Sequence, residues 1–202
     1  MQPAIAEPCT RVQEPNEGDW TKLAKMMKCS NGTKESVLVL SAKTSKVVKW
    51  HVDTALAVHP DCKSHTGAMM TAGKGRVTNI SRKQKLNTRS STTAELVAAD
   101  DAVVMMLWTL SFLEVQGHRI NKNTLCQDNE SAVSLEENGK TSSSNRTRHL
   151  NVCYFFLTNQ VKRKNISIKH CPTDDMNRDF VSKPLKLAKF CKFRNELGME
   201  NC

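Results

Sequence analysis

A mixed α/β fold is predicted by three observations: three strand-like segments in succession, one long helical stretch after them, and then strands alternating with helices. In chain order the elements read β-β-β-α-β-α-α-β-α. The 202 residues suit one domain of ordinary size with some flanking sequence.

The first 18 residues are rich in Pro, Glu and polar types and read as a loop. Asp19 is placed to cap a short helix in which Trp20, Leu23, Ala24 and Met27 fall at i, i+3, i+4 and i+7. Asn31-Gly32 ends it, and Ser36-Val-Leu-Val-Leu40 reads as a strand. This opening piece looks like an appendage. Val47 to Val52 is the next strand, with Val48, Trp50 and Val52 on one face and Asp53 on the other face or at its end. Segments near 65–72 and 75–81, parted by Gly73 and Gly75, complete a meander. Thr92 to Val115 is the longest periodic stretch, a helix with Leu96, Val103, Leu107, Leu110 and Phe112 among its apolar positions and Gly117 as its stop. A short strand, Thr124-Leu-Cys-Gln127, ends at Asp128, and a short helix spans Ser131 to Glu137. Gly139 to Thr147 reads as a polar loop, His149 to Lys162 as a helix, and Ile166 to His170 as the last strand. Thr173 then caps a helix through Ser182 that Pro184 stops, and a basic amphipathic helix from Leu187 to Leu197 follows.

Composition narrows the class. Hydrophobic residues make up 39% of the chain, but only 5% is aromatic, so aliphatic side chains and Met must fill the core. The formal charge of +10 is spread along the chain, which suits a polyanionic partner or simply a solubilising surface. The eight cysteines form no C-x-x-C pair, and no signal peptide precedes them, so free thiols in a reducing compartment are expected. No apolar run approaches membrane-spanning length, and a soluble intracellular protein is expected.

Four carboxylates occupy special places. Asp53 ends the first strand of the meander, Glu95 lies at the start of the long helix, Asp128 ends the fourth strand, and Asp179 lies on the helix after the last strand. Such positions can converge on one sheet edge, and several hard oxygen ligands together suit Mg²⁺ or Mn²⁺. Each acid alone reads equally as a turn residue, a helix-start acid or part of a solvated face. The case rests on the set.

These residues fall within segments that resemble a known family. Trp50-His-Val-Asp-Thr-Ala55, Ser64-His-Thr-Gly67, Ser81-Arg-Lys-Gln-Lys85 and Ser90-Ser-Thr-Thr-Ala-Glu-Leu96 are similar to the first half of the ribonuclease H domain of copia-type (LTR) retrotransposon Pol polyproteins. Gln127-Asp-Asn-Glu-Ser-Ala132, Arg146-Thr-Arg-His149 and Asp179-Phe-Val-Ser-Lys-Pro-Leu185 resemble its second half, in the same order. The resemblance covers roughly residues 45–186. Asp19-Trp20 and Asn31-Gly-Thr33 resemble the connection between reverse transcriptase and nuclease, so residues 1–44 read as a remnant of it and 187–202 as a basic C-terminal helix or tail.

The resemblance implies a ribonuclease H-like fold: a five-stranded mixed sheet, antiparallel meander plus parallel strands, flanked by helices. It implies two Mg²⁺ (or Mn²⁺) ions held by Asp53, Glu95, Asp128 and Asp179, with Asp53 bridging, and hydrolysis of the RNA strand of RNA–DNA hybrids without a covalent enzyme intermediate. The implied partners are the hybrid and the reverse transcriptase portion of the parent polyprotein, with no membrane. The implied location is a cytoplasmic virus-like particle, with the nucleus also open. Recognising a hybrid requires contact with the 2′-hydroxyls of one strand in the minor groove. Ser91 and Thr92 resemble the family's contacts there, and Gly67 would admit the backbone. Arg82, Lys83, Lys85, Arg89, Arg146 and Arg148 are candidates for phosphate, and His149 completes the Arg-Thr-Arg-His tag.

Other signals carry less. His59, Cys62 and His65 offer three zinc ligands in seven residues, one short of a structural site. Asp100-Asp101 lies mid-helix, where a polymerase pair would need a hairpin. His170 lies near where many ribonucleases H place a mobile histidine, and a buried or strand-end role is the plainer reading. Thr93, Arg178 and Leu56 depart from the family's usual acidic, small and aromatic residues, as in a drifting copy. The Met start within the connection region leads to the expectation of an element fragment or truncated frame. The alternatives to an enzyme are a catalytically inactive remnant or co-opted nucleic-acid-binding module with the same fold, and an interaction protein whose acids serve only surface electrostatics.

Overall fold

The computed structural model describes residues 2–42, 46–138, 151–171 and 198–201. The chain begins with helices α1 (Gln2–Cys9) and α2 (Glu17–Gly32), followed by short strands β1 (Ser36–Leu38) and β2 (Ser41–Ala42). The expected opening loop is therefore partly helical. Pro3 sits in the first turn of α1, where a missing N–H breaks no helical bond, and α1 packs on α2 and against the edge of the main sheet. In α2 the cap is Asn16 and not Asp19. Asn16 Oδ1 accepts from the Asp19 N–H at 3.0 Å, and Asp19 Oδ2 accepts from the Asn16 N–H at 3.1 Å, a reciprocal capping box. The expected apolar stripe faces outward: Trp20 is 66% and Met27 64% exposed.

The central elements are β3 (Val47–Ala55), β4 (His65–Thr71), β5 (Gly73–Lys74), β6 (Thr78–Lys83), α3 (Ser91–Val115), β7 (Lys122–Gln127), α4 (Glu130–Asn138), α5 (Asn151–Lys162) and β8 (Ser167–His170), with β9 (Met199–Asn201) near the end. Five strands form one sheet in the order β6-β4-β3-β7-β8. The meander β3-β4-β6 is antiparallel, whereas β7 runs parallel to β3 and β8 parallel to β7. This is the five-stranded mixed sheet that the resemblance implies.

Period-two alternation explains the core. Val48, Trp50 and Val52 of β3, Ala68 and Met70 of β4, and Leu125 of β7 bury one sheet face against Leu96, Val103 and Met106 of α3. Each large apolar side chain so buried contributes about 1.5–3 kcal/mol. By length and composition α3 could cross a membrane, contrary to the expectation from sequence. Its Ala94–Met106 portion supplies much of the core, while Val104, Trp108 and Phe112 are exposed, with the last two rings stacked at 5.3 Å.

The opening piece is laced to the periphery: β2 pairs with β5, and β1 with β9. Gly75 (φ +80°) lies where any Cβ would come within 2.3 Å of the Val39 carbonyl oxygen, so only glycine fits this crossing. The expected loop 139–147, the start of the helix expected from His149, and the helices expected at 173–182 and 187–197 lie outside the described residues.

Candidate metal centre

Three elements bring the acids together. Asp53 lies near the end of β3, opposite Gly67 of β4, which presents no side chain to crowd it. The parallel register pairs His51 with Cys126, so two residues further along each strand Asp53 and Asp128 arrive at the same level. The third acid comes from α3. Ser90 caps that helix by accepting from the Thr93 N–H at 3.2 Å. Its first turn is pinned to the sheet through the Ala94 carbonyl, which accepts from Thr54 Oγ1 at 3.3 Å and Gln84 Nε2 at 2.9 Å. Glu95 is the next residue. One carboxylate oxygen each from Asp53, Glu95 and Asp128 lies within 4.8 Å of the other two.

Asp53 is 4% and Glu95 6% exposed. Like charges packed this closely out of water repel one another, and a divalent cation is the natural counter-charge. Three hard oxygen donors on rigid elements fit Mg²⁺ or Mn²⁺, which readily keep water and accept phosphate oxygens as further ligands. The residues present fit such ions. Asp179, the fourth expected ligand, lies outside the described residues.

Two buried residues beside the cluster were not anticipated. Gln127 Nε2 donates to Glu95 Oε2 at 3.2 Å. Glu136 of α4 is fully buried, and among the described residues neither of its carboxylate oxygens has a hydrogen-bond partner. Burial, then the charges of Glu95 and Glu137, push its carboxyl well above the ordinary range. A signal existed for each. Gln127 follows Leu125 in strand alternation, and Glu136 follows Ala132 and Val133 at helical spacing on the buried face of α4.

No family model matches the chain. Four curated proteins do, among them two Pol polyproteins. The retrovirus-related Pol polyprotein from transposon TNT 1-94 of Nicotiana tabacum is 25% identical over 191 residues, covering 94% of this chain. That from transposon RE1 of Arabidopsis thaliana is 31% identical over 140 residues, covering 69%. The chain is a homologue of plant copia-type Pol polyproteins. It spans 14% and 9% of the length of these two Pol polyproteins. Among solved structures, a ribonuclease H1 isolated from compost aligns with a TM-score of 0.48 at 14% identity, covering 64% of this chain and 86% of that one.

The remaining positions singled out by likeness to the Pol polyproteins divide into four groups. Gly67 lies directly beside Asp53, and Ser91 and Thr92 open α3 one turn before Glu95. Because Ser90 is the cap, capping does not explain the two hydroxyls that follow it. Lys85 and Arg89 are exposed on the segment leading into α3. Arg82 and Lys83 are instead engaged by acids: Arg82 by Asp101, and Lys83 by Asp61 at 2.7 Å. Asp101 also accepts from Thr66 Oγ1 at 3.0 Å, which gives it a structural role. Arg146, Arg148, His149 and Arg178 lie outside the described residues.

The histidines resolve similarly. His170 is exposed at the end of β8, its Nε2 3.0 Å from the Asp128 carbonyl oxygen, so it is a strand-end and not a buried histidine. His59 Nε2 and His65 Nδ1 are 3.1 Å apart, while Cys62 is exposed; among the described residues they belong to no metal-holding group of three. All five cysteines with described side chains are free.

Proposed function

We propose that this chain is a divalent-metal-dependent endonuclease that cuts the RNA strand of RNA–DNA hybrids, as the nuclease part of a retrotransposon Pol polyprotein. The observation that carries the reading is the meeting of Asp53, Glu95 and Asp128 at one sheet edge. These three residues would hold two Mg²⁺ or Mn²⁺ ions, with Asp179 as the expected fourth ligand. The chemistry supplied by the bound ions is Lewis-acidic: a lowered pKa for the attacking water and a stabilised leaving oxygen.

The chain's own residues prepare that chemistry. Asp53 and Glu95 are held on a strand and a pinned helix, so they need little reorganisation when substrate arrives. Gly67 leaves room next to Asp53 for close approach of the nucleic acid. The Ser91 and Thr92 hydroxyls, at the same end of α3, would read the 2′-hydroxyls of the RNA strand in the minor groove. Lys85 and Arg89 would hold phosphates on that side; Arg146 and Arg148 are further candidates for phosphate, and His149 for substrate contact. The +10 charge favours the polyanion at longer range. The expected partner is the reverse transcriptase portion of the polyprotein, and the expected setting a cytoplasmic virus-like particle or the nucleus.

The test is cleavage of a hybrid carrying a labelled RNA strand, with and without Mg²⁺. Wild type should cut in the presence of the ion, and Asp128→Asn should reduce cutting to background. Tight hybrid binding with no cutting under any divalent ion would instead identify a nucleic-acid-binding module.

A further inference from the structure

We infer that Gln127 is a positioning residue for Glu95, setting how that carboxylate meets the divalent ion; the inference rests on the metal-site reading above. Gln127 is the last residue of β7, and its backbone is fixed by the parallel register to β8 and by the Cys171 N–H just beyond that strand, which donates to its carbonyl at 2.8 Å. Strand alternation turns its side chain to the same side as Leu125, toward α3. There it is fully buried, and Nε2 donates to Glu95 Oε2 at 3.2 Å. Holding one carboxylate oxygen fixes the plane of both. The orientation of Glu95 is thus set from the residue adjacent to Asp128, so the end of β7 governs two ligands together.

The chemistry of the amide favours this role over core filling. Gln127 Oε1 is buried with no hydrogen-bond partner among the described residues, a penalty that a methionine of similar volume would not incur. What the amide adds is a donor to Glu95. The donor is also neutral. A lysine or arginine here would hold Glu95 equally well but would compete with the ion for its charge.

The experiment is a titration of Mn²⁺, followed by electron paramagnetic resonance of the free ion, on wild type, Gln127→Met, Gln127→Leu and Glu95→Gln. Circular dichroism checks that each is folded. Removal of a partner that orients a metal ligand typically weakens metal affinity about 10- to 100-fold. Both folded Gln127 variants should show a loss in that range. Hybrid cleavage by them should recover as Mn²⁺ is raised, with KM for the hybrid unchanged. Wild-type affinity in either folded variant overturns the role of Gln127. Unchanged affinity in Glu95→Gln overturns the metal-site reading itself, and this inference with it. Should neither Gln127 variant fold, the side-chain amide of Gln127 in the unaltered chain decides by nuclear magnetic resonance. A resonance protected from exchange and displaced by Mg²⁺ supports the role; a freely exchanging resonance that Mg²⁺ leaves in place overturns it.

Discussion

Glu136 lies on the buried face of α4 with both carboxylate oxygens unpartnered among the described residues, and burial raises its pKa well above the ordinary value of 4.5. The folded state therefore holds this proton more tightly than the unfolded state does. The sign follows: stability from this group is fully present below about pH 4.5 and is lost as pH rises toward the folded-state value. Glu136→Gln keeps the shape and removes the charge. In the presence of a chelator, it should raise Tm at pH 8 more than at pH 4. Equal gains at the two pH values would contradict this account. Glu136 was hard to read from sequence because an acidic pair at the end of a short helix resembles an exposed face. Asp53 and Asp128 were easier, since each follows an apolar strand pattern that fixes where the strand ends.

Among the elements, α3 carries the most of both core and site. Its length, its apolar run without Gly or Pro, and the preceding serines made it legible, and Ser90 supplies the cap. Ser90→Ala should cost about 1 kcal/mol, measured as a lower urea midpoint with an unchanged slope. The segment entering α3 carries Lys85 and Arg89. If they contact phosphate, alanine at either should weaken hybrid binding without regard to sequence and reduce the salt-dependence slope by about 1. A slope equal to wild type in both would remove them from the interface. The opening helices were less legible for opposite reasons. Two prolines and little hydrophobicity hid α1, whose packing on α2 and β6 outweighs its composition. In α2, Asn16 and Asp19 are both capping residue types, and an apolar stripe that is never buried gave no register to choose between them.

At the scale of the molecule, alternation and helical spacing made the order of elements along the chain legible, whereas the five-stranded mixed sheet was legible only through the family resemblance. The lacing of the opening piece through β2 and β9 was not legible, since two- and three-residue strands carry almost no periodic signal. Two histidines, the half-buried His51 and the buried His65, set a global acid response. Burial lowers both His51 and His65 from 6.5 to about 4. Their contribution is present above pH 6.5 and is lost as pH falls to about 4, because the unfolded chain takes up protons first. Stability should therefore decline across that window in chemical denaturation. His65→Asn should make the decline shallower; an identical slope would contradict the assignment.

The central claim is that Asp53, Glu95 and Asp128 make a divalent-ion site. Its most direct test is anomalous X-ray scattering from a crystal soaked in Mn²⁺. The account predicts a peak between the three carboxylates, and no peak there in Asp53→Asn. Manganese bound only elsewhere in the wild-type crystal would contradict it.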